Sequence, residues 1–414
     1  MPCLNRSLLV LLCSLELCAG TITASESARP FVQDRFAIGL WVPPVAGPKL
    51  DERYRELAEA HFNLVIGTSG TNVNEQLTLC ERFGLKAIVA RSEAQAPWLD
   101  HPACWGALLT DEPAESVFPA LAMQAAEIRD KHPGRFGYIN LFPNYATPQQ
   151  LGSPTYESHV AAFMKDVKPE ILSMDHYPLM RQDADGRAAY CENLETLRRH
   201  SQVAKIPFWN YFQAMPFGDH PDPTEAQIRW QIFTSIAYGA KGALYFCYWT
   251  PGQGNGGSGE FPKGGAIITA EGRRTRHYDE ARRINGELLH LGPTLMTLSS
   301  DEVRRFKTGP TSTHFPPGFP LRSVTRTGND VESELLVGTF HMADGRRAVV
   351  IVNDSLAYTA WPTLEFDVPV AEVQEVEKST GGLVKAIDDS PETRGFQLSL
   401  GAGDGRLFIL PAAR

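Results

Sequence analysis

The sequence predicts an α/β protein, a (β/α)8 TIM barrel followed by a small C-terminal antiparallel β-sandwich. Three observations carry this. Eight short apolar runs recur between residues 36 and 249, and stretches of helical spacing alternate with them. The first run leads into Trp41-Val42-Pro43-Pro44 and not into GxGxxG, which argues against a doubly wound open sheet. Beyond Leu298 the periodicity changes to alternating short strands separated by turn pairs such as Asp344-Gly345, Gly381-Gly382 and Asp404-Gly405.

Taken in order, FAIGLWVPP at 36–44 is the first strand, and 50–61 is a helix with Leu50, Tyr54, Leu57, Ala58 and His61 on one face. FNLVIGTS at 62–69 is the second strand. Asn72 and Glu75 have the spacing of a capping box for the next helix, which Gly84 stops. LKAIVARS at 85–92 is the third strand, and an irregular connection holding Trp98 leads to the fourth, WGALLTDEPA at 105–114. This fourth run ends in adjacent carboxylates, Asp111 and Glu112, and Pro113 cannot continue the ladder. Helix 115–131 places Val117, Leu121, Ala125 and Ile128 on one face, and Pro133-Gly134 ends it. Strands five to eight are 136–143, 171–179, 207–215 and 241–249, separated by helices at 156–167, 188–203 and 224–238. A glycine-rich loop at 251–265, read as a lid over the site, leads to a last helix at 278–291. Eight such units in about 260 residues is the size of a closed barrel. The later strands are expected at 335–340, 348–352, 364–368, 373–376, 396–400 and 407–410.

The domain division that follows is residues 1–24 as a secretory signal peptide, 30–298 as the barrel and 299–414 as the sandwich. Arg6 supplies a positive n-region, Leu8–Leu17 is a short apolar run, and small residues follow at Cys18, Ala19 and Gly20. That run is too short to span a bilayer, so a cleaved signal and a secreted or periplasmic protein are expected, ahead of a lipid anchor at Cys18. No later stretch suggests a membrane span. A net charge of −9 argues against nucleic acid as a partner. Cys80, Cys104, Cys191 and Cys247 remain after the signal; their spacing fits no zinc motif, and Cys80–Cys104 is the pair nearest in sequence for a disulfide, with buried thiols as the alternative.

Active sites of such barrels lie at the carboxyl ends of the strands. Those ends hold Trp41, Arg91, Asp111 and Glu112, Asn140, Asp175, His176 and Tyr177, then Asn210, Tyr211 and Gln213, and finally Tyr248 and Trp249. Carboxylates, amides and aromatics are the groups that bind a sugar. Rings stack on pyranose C–H faces, and acids and amides bind hydroxyls. No set of ligands has metal spacing and no GxSxG is present, so neither a metal nor an organic cofactor is expected. Asp111 could instead cap the following helix, Asp175 and His176 could form a hydrogen-bonded pair at the rim, and Arg91 could pair with an acid or bind an acidic sugar.

Thr110-Asp111-Glu112-Pro113 at the fourth strand tip, together with residues 266–295, resembles glycoside hydrolases of the (β/α)8-barrel clan that includes the family 42 β-galactosidases and the cellulase-type enzymes. The resemblance implies a carbohydrate substrate and Glu112 as general acid/base, with Asp111 where the clan has an Asn that binds the 2-hydroxyl. It also implies a nucleophilic Glu at the tip of strand seven. The chain has Gln213 there, and a neutral amide can neither form a glycosyl ester nor activate water. Asp175 is then the leading nucleophile or base: about 5 Å from Glu112 it would give retention, at roughly 6.5–9.5 Å inversion. Two alternatives stay open. One is hexosaminidase-like, substrate-assisted hydrolysis using the Asp111-Glu112 pair, with Tyr177 or Tyr211 polarising an acetamido group. The other is a non-catalytic carbohydrate-binding barrel.

Overall fold

The computed structural model describes residues 30–68, 73–90, 97–181, 184–252, 261, 265–308, 311–326, 334–392 and 394–412. Eight parallel strands close into a barrel in sequence order: β1 (Ala37–Leu40), β2 (Leu64–Thr68), β3 (Lys86–Ala90), β4 (Cys104–Asp111), β5 (Phe136–Leu141), β6 (Leu172–Asp175), β7 (Phe208–Gln213) and β8 (Gly242–Phe246). Helices α1 (Leu50–Glu59), α2 (Val73–Arg82), α3 (Phe118–Lys131), α4 (Pro148–Leu151), α5 (Tyr156–Asp166), α6 (Arg187–Ala204), α7 (Glu225–Ala237) and α8 (Arg276–Thr297) lie between and after the strands. The strands are shorter than the apolar runs that announce them, because each run continues past the last ladder bond into the connecting loop. β1 stops at Leu40, for example, and Val42 then takes a left-handed φ of 57°. The last helix is longer than its apolar stripe, running from Arg276 to Thr297 with Pro293 inside it. Thr224 caps α7 in a reciprocal box with Gln227. Asn72 and most of the glycine-rich 251–265 loop fall outside the described residues.

The interior of the barrel is packed with rings. Trp105 and Trp209 stack at 6.1 Å, and Phe136 and Tyr138 lie 6.2 and 5.8 Å from Trp209. Gly242 makes room for this: a Cβ there would sit 2.5 Å from the Trp209 ring. The outer face of the strands joins the helices in a second, larger apolar core. The four cysteines among the described residues, Cys80, Cys104, Cys191 and Cys247, are buried free thiols, so the Cys80–Cys104 disulfide does not form.

After α8 the chain builds two antiparallel sheets. One holds six strands in the order β16-β15-β18-β13-β12-β9, namely Leu383–Lys385, Gln374–Val376, Gly405–Leu410, Arg347–Asn353, Glu334–His341 and Ser299–Lys307. The other holds four, β10-β11-β14-β17, namely Thr313–His314, Leu321–Arg326, Pro362–Phe366 and Phe396–Gln397. Val337, Ile351 and Phe408 of the first sheet share one apolar cluster with Val324, Leu364 and Phe396 of the second. The six-stranded sheet lies on α7. Gly338 allows the approach, since a Cβ there would be 2.1 Å from the Ala237 carbonyl oxygen. Asp354, fully buried at this junction, accepts hydrogen bonds from Trp230 Nε1 of α7 at 2.6 Å and from Arg305 of β9. No described helix is long and apolar enough to cross a membrane.

Candidate active site

Alternation along the strands decides which side chains reach the barrel mouth. On β5, Tyr138 and Asn140 point inward while Ile139 and Leu141 pack outward; on β6, Ser173 and Asp175 point inward. A register shift between Leu108 and Thr110 turns Asp111 inward, level with Asn140. Ladder pairing then continues the row, Asn140 beside Ser173 and Asp175 beside Tyr211.

The row is joined by hydrogen bonds centred on Asn140. Its Nδ2 donates to Asp111 Oδ1 at 3.1 Å and to Asp175 Oδ1 at 2.8 Å. Its Oδ1 accepts from Ser173 Oγ at 3.0 Å, and Ser173 Oγ lies 2.7 Å from the Tyr138 hydroxyl. One carboxamide therefore bridges two carboxylates, and its orientation is set by the serine on its other side. The Tyr177 hydroxyl is a further donor to Asp175. Glu112 follows the strand with a left-handed φ of 45°, uncommon away from glycine, held by its N–H donating to the Asn140 carbonyl at 2.8 Å.

The three acids perturb one another. Burial, then repulsion from Asp111, pushes Glu112 up to about 7. Burial, then the charges of Glu112 and Asp111, raises Asp175 well above the usual range, against the hydrogen bonds from Asn140 and Tyr177. Asp111 is raised by loss of hydration, although part of its surface meets solvent, and Asn140 opposes the rise. Donors thus oppose the rise of Asp111 and Asp175 without reversing it, whereas burial and then the Asp111 charge both push Glu112 toward its protonated form. The three acids therefore titrate as one coupled cluster that holds protons to a higher pH than free carboxyls do.

The other expected residues divide into two groups. Trp41, half-buried, sits edge-on to Tyr211 at 5.7 Å, and Tyr177 packs beside Phe217 and Phe246 at 5.1 and 5.2 Å; all lie at the mouth. His176 is buried behind it. Burial lowers its imidazole to about 4, and its Nδ1 lies 3.0 Å from Asn193 Oδ1. It is therefore neutral, and it makes no bond with Asp175. Asn210 does not face the mouth: parity turns it onto the helices, where Nδ2 donates to Tyr190 and Ser235 at 2.6 and 3.1 Å. Tyr248 is likewise turned outward onto Phe62, at 5.6 Å. Trp249 lies under the Arg53 guanidinium at 5.3 Å and is closed off by the turn at Gly272, so its face is not free to stack on a sugar. Gln213 is fully buried, with Nε2 donating to the Pro221 carbonyl at 2.6 Å. Asp111 caps no helix: Ala114 and Val117 hold the cap positions that follow. Arg91 lies outside the described residues.

Tyr145 joins the site unannounced. It is 54% exposed, its hydroxyl accepts from the Tyr177 N–H, and burial, then Asp175, raises it. The fifth strand read from the sequence, 136–143, ends two residues short of it. Tyr138 and Ser173, which steady Asn140, lie within β5 and β6 before the strand ends, and nothing in the sequence marked them. Among the described residues no three His, Cys, Asp or Glu side chains converge in a metal-binding arrangement.

The sequence matches no protein-family model, and no curated protein matches it. Solved structures similar to it in fold are glycoside hydrolases. The β-galactosidase from Bacillus circulans sp. alkalophilus aligns at a TM-score of 0.53 and 9% identity over 91% of this chain and 99% of its own. The β-galactosidase of the psychrophilic Marinomonas ef1 aligns at 0.46 and 12% identity, over 62% of this chain and 60% of that one. The β-glucuronidase of Faecalibacterium prausnitzii aligns at 0.42 and 13% identity, with the chain spanning 49% of its length. At these identities the likeness is one of fold.

Proposed function

We propose that the protein is a secreted glycoside hydrolase in which Glu112 is the general acid/base, Asp175 the nucleophile or base, and Asp111 a ligand for a sugar hydroxyl. The observation that carries this is the cluster of three acids, Asp111 and Asp175 bridged by Asn140 and Glu112 beside them raised to about 7. A carboxylic acid still protonated near neutrality can donate its proton to a leaving glycosidic oxygen as the C–O bond breaks. Asp175, whose anion Asn140 and Tyr177 favour against burial and the neighbouring charges, then attacks the anomeric carbon or takes a proton from the attacking water. Trp41 and Tyr145 offer rings at the mouth for the pyranose face. By the resemblance drawn from the sequence, Gln213 takes the place of the clan's nucleophile, and its tie to Pro221 supports assigning the second carboxylate to β6. The neighbour that aligns over nearly all of both chains is a β-galactosidase, so β-glycosides are the substrate class tested first. In this reading residues 1–24 are the export signal, 30–298 the catalytic barrel and 299–414 a β-sandwich.

The rise of Asp175 favours one second reading. If it stays protonated, the Asp111-Glu112 pair would act on a 2-acetamido sugar whose own carbonyl oxygen is the nucleophile.

The test is turnover of a panel of aryl β-glycosides, with and without a 2-acetamido group, by the wild type, Glu112→Gln and Asp175→Asn. Glu112→Gln is expected to lose about 10²–10⁴ in rate on poor leaving groups, and far less on an activated one that needs no proton. Full activity of folded Glu112→Gln on poor leaving groups overturns the assignment. Turnover confined to acetamido substrates, with Asp175→Asn active, selects the substrate-assisted route.

A further inference from the structure

We infer that a second binding site lies beside the acid mouth, a cleft of about 880 Å³ at the junction of barrel and sheets that takes the non-reacting end of an acidic oligosaccharide. The inference rests on the glycoside hydrolase reading above. The cleft is walled by the segment after β6 from Pro178 to Arg181, by Pro221 and Asp222 after β7, and by the β13–β14 connection that carries Tyr358. The first wall starts one residue beyond Tyr177, which binds Asp175. His220 ties the walls together, with Nδ1 2.8 Å from the Leu179 carbonyl and its ring 5.8 Å from that of Tyr177. A chain leaving the mouth past Tyr177 therefore enters the cleft directly, and the cleft shares none of the three acids.

Two features define the ligand. The first is Tyr358, 67% exposed although its backbone is pinned: its N–H donates to Ser355 Oγ at 3.0 Å and its carbonyl accepts from Asn353 Nδ2 at 2.7 Å. An exposed ring on a fixed backbone is a stacking platform for the C–H face of a pyranose, with little ordering cost on binding. The second is charge. Arg187 pairs with Asp185 and Glu334, Lys307 with Glu334, and Asp222 with Arg276. Arg181 alone of the charged side chains lining the cleft has no ion pair with another described residue, and it is exposed. A free guanidinium among matched charges selects a carboxylate or sulfate on the bound sugar, because its planar fork bonds such a group bidentately.

The experiment compares Arg181→Gln and Tyr358→Ala with the wild type on an aryl monoglycoside, a β-linked hexauronide and the matching neutral hexasaccharide. Turnover is followed kinetically, and binding by titration calorimetry. Circular dichroism monitors folding, and Arg181→Lys serves as the conservative variant. The expected result is unchanged monoglycoside kinetics, with KM for the hexauronide raised about tenfold in each variant, kcat unchanged and partial recovery in Arg181→Lys. Hexauronide kinetics that both variants leave intact, or a neutral hexasaccharide that binds as well, overturn the cleft assignment while the monoglycoside activity stands. Hexauronide binding that both variants weaken, with no turnover of any substrate, upholds the cleft and removes the hydrolase reading. Absence of both binding and turnover overturns the inference.

Discussion

Replacing Asn140 by leucine, of similar size but without donors, tests how the proton is distributed among the acids. The substitution deletes the hydrogen bonds to Asp111 at 3.1 Å and to Asp175 at 2.8 Å. A hydrogen bond to a charged group contributes about 1.5–3 kcal/mol, and a pKa unit corresponds to about 1.4 kcal/mol, so each aspartate should rise by roughly one to two units. With less negative charge beside it, Glu112 falls from about 7 toward its ordinary value. The kcat/KM profile reports these groups in the free enzyme, and its alkaline limb marks loss of the acid's proton. In Asn140→Leu that limb should move below pH 7 by about one unit. The rate should fall as well, since Asp175 now holds a proton over more of the range. The assay is hydrolysis of an aryl glycoside between pH 4 and 9, with thermal melts to verify the fold. A folded Asn140→Leu protein whose alkaline limb stays near 7 would refute the proposed role of the amide.

Three further outcomes are expected. Glu112 has a folded pKa of about 7 against an ordinary 4.5, so its stabilising contribution is complete below 4.5 and is lost as pH rises through 7. Glu112→Gln should therefore be more stable than the wild type by about 2–3 kcal/mol at pH 8 and no more stable at pH 4, as measured by urea unfolding; equal stability at pH 8 removes the repulsion argument. Gly242→Ala drives a methyl into the Trp209 ring at 2.5 Å and should destabilise the barrel by about 1–3 kcal/mol, read as a lower melting temperature. In the processed protein a thiol reagent should find Cys80, Cys104, Cys191 and Cys247 unreactive when folded and all four reactive in denaturant without reductant.

The barrel was legible because eight buried strands leave eight apolar runs, and Asp111, Glu112, Asn140 and Asp175 were legible as polar groups closing such runs. Inside and outside were not legible. Both faces of a barrel strand are buried, so Phe208–Gln213 reads as apolar and amide residues with no mark of direction. Asn210 satisfies Tyr190 and Ser235 in the wall by the same chemistry that would bind a sugar. The bulge near Leu109 that aims Asp111 inward has no sequence signature, and neither has the turn at Gly272 that covers Trp249. β9 was missed for the opposite reason: SSDEVRRFK has no apolar alternation, and as an edge strand exposed along much of its length it is held mainly by its ladder with β12.

The passage from α8 to β9 gives the molecule its mechanics. A single residue, the buried Leu298, separates Thr297 from Ser299, and Asp354 fastens Trp230 and Arg305 across the seam. The seam therefore has no hinge. The sheets cannot swing against the barrel, a protease finds no extended linker to enter, and heat should melt both parts in one cooperative step. The gap between Tyr358 and the β6 rim is accordingly a fixed gauge, which a saccharide chain bound as proposed would have to match.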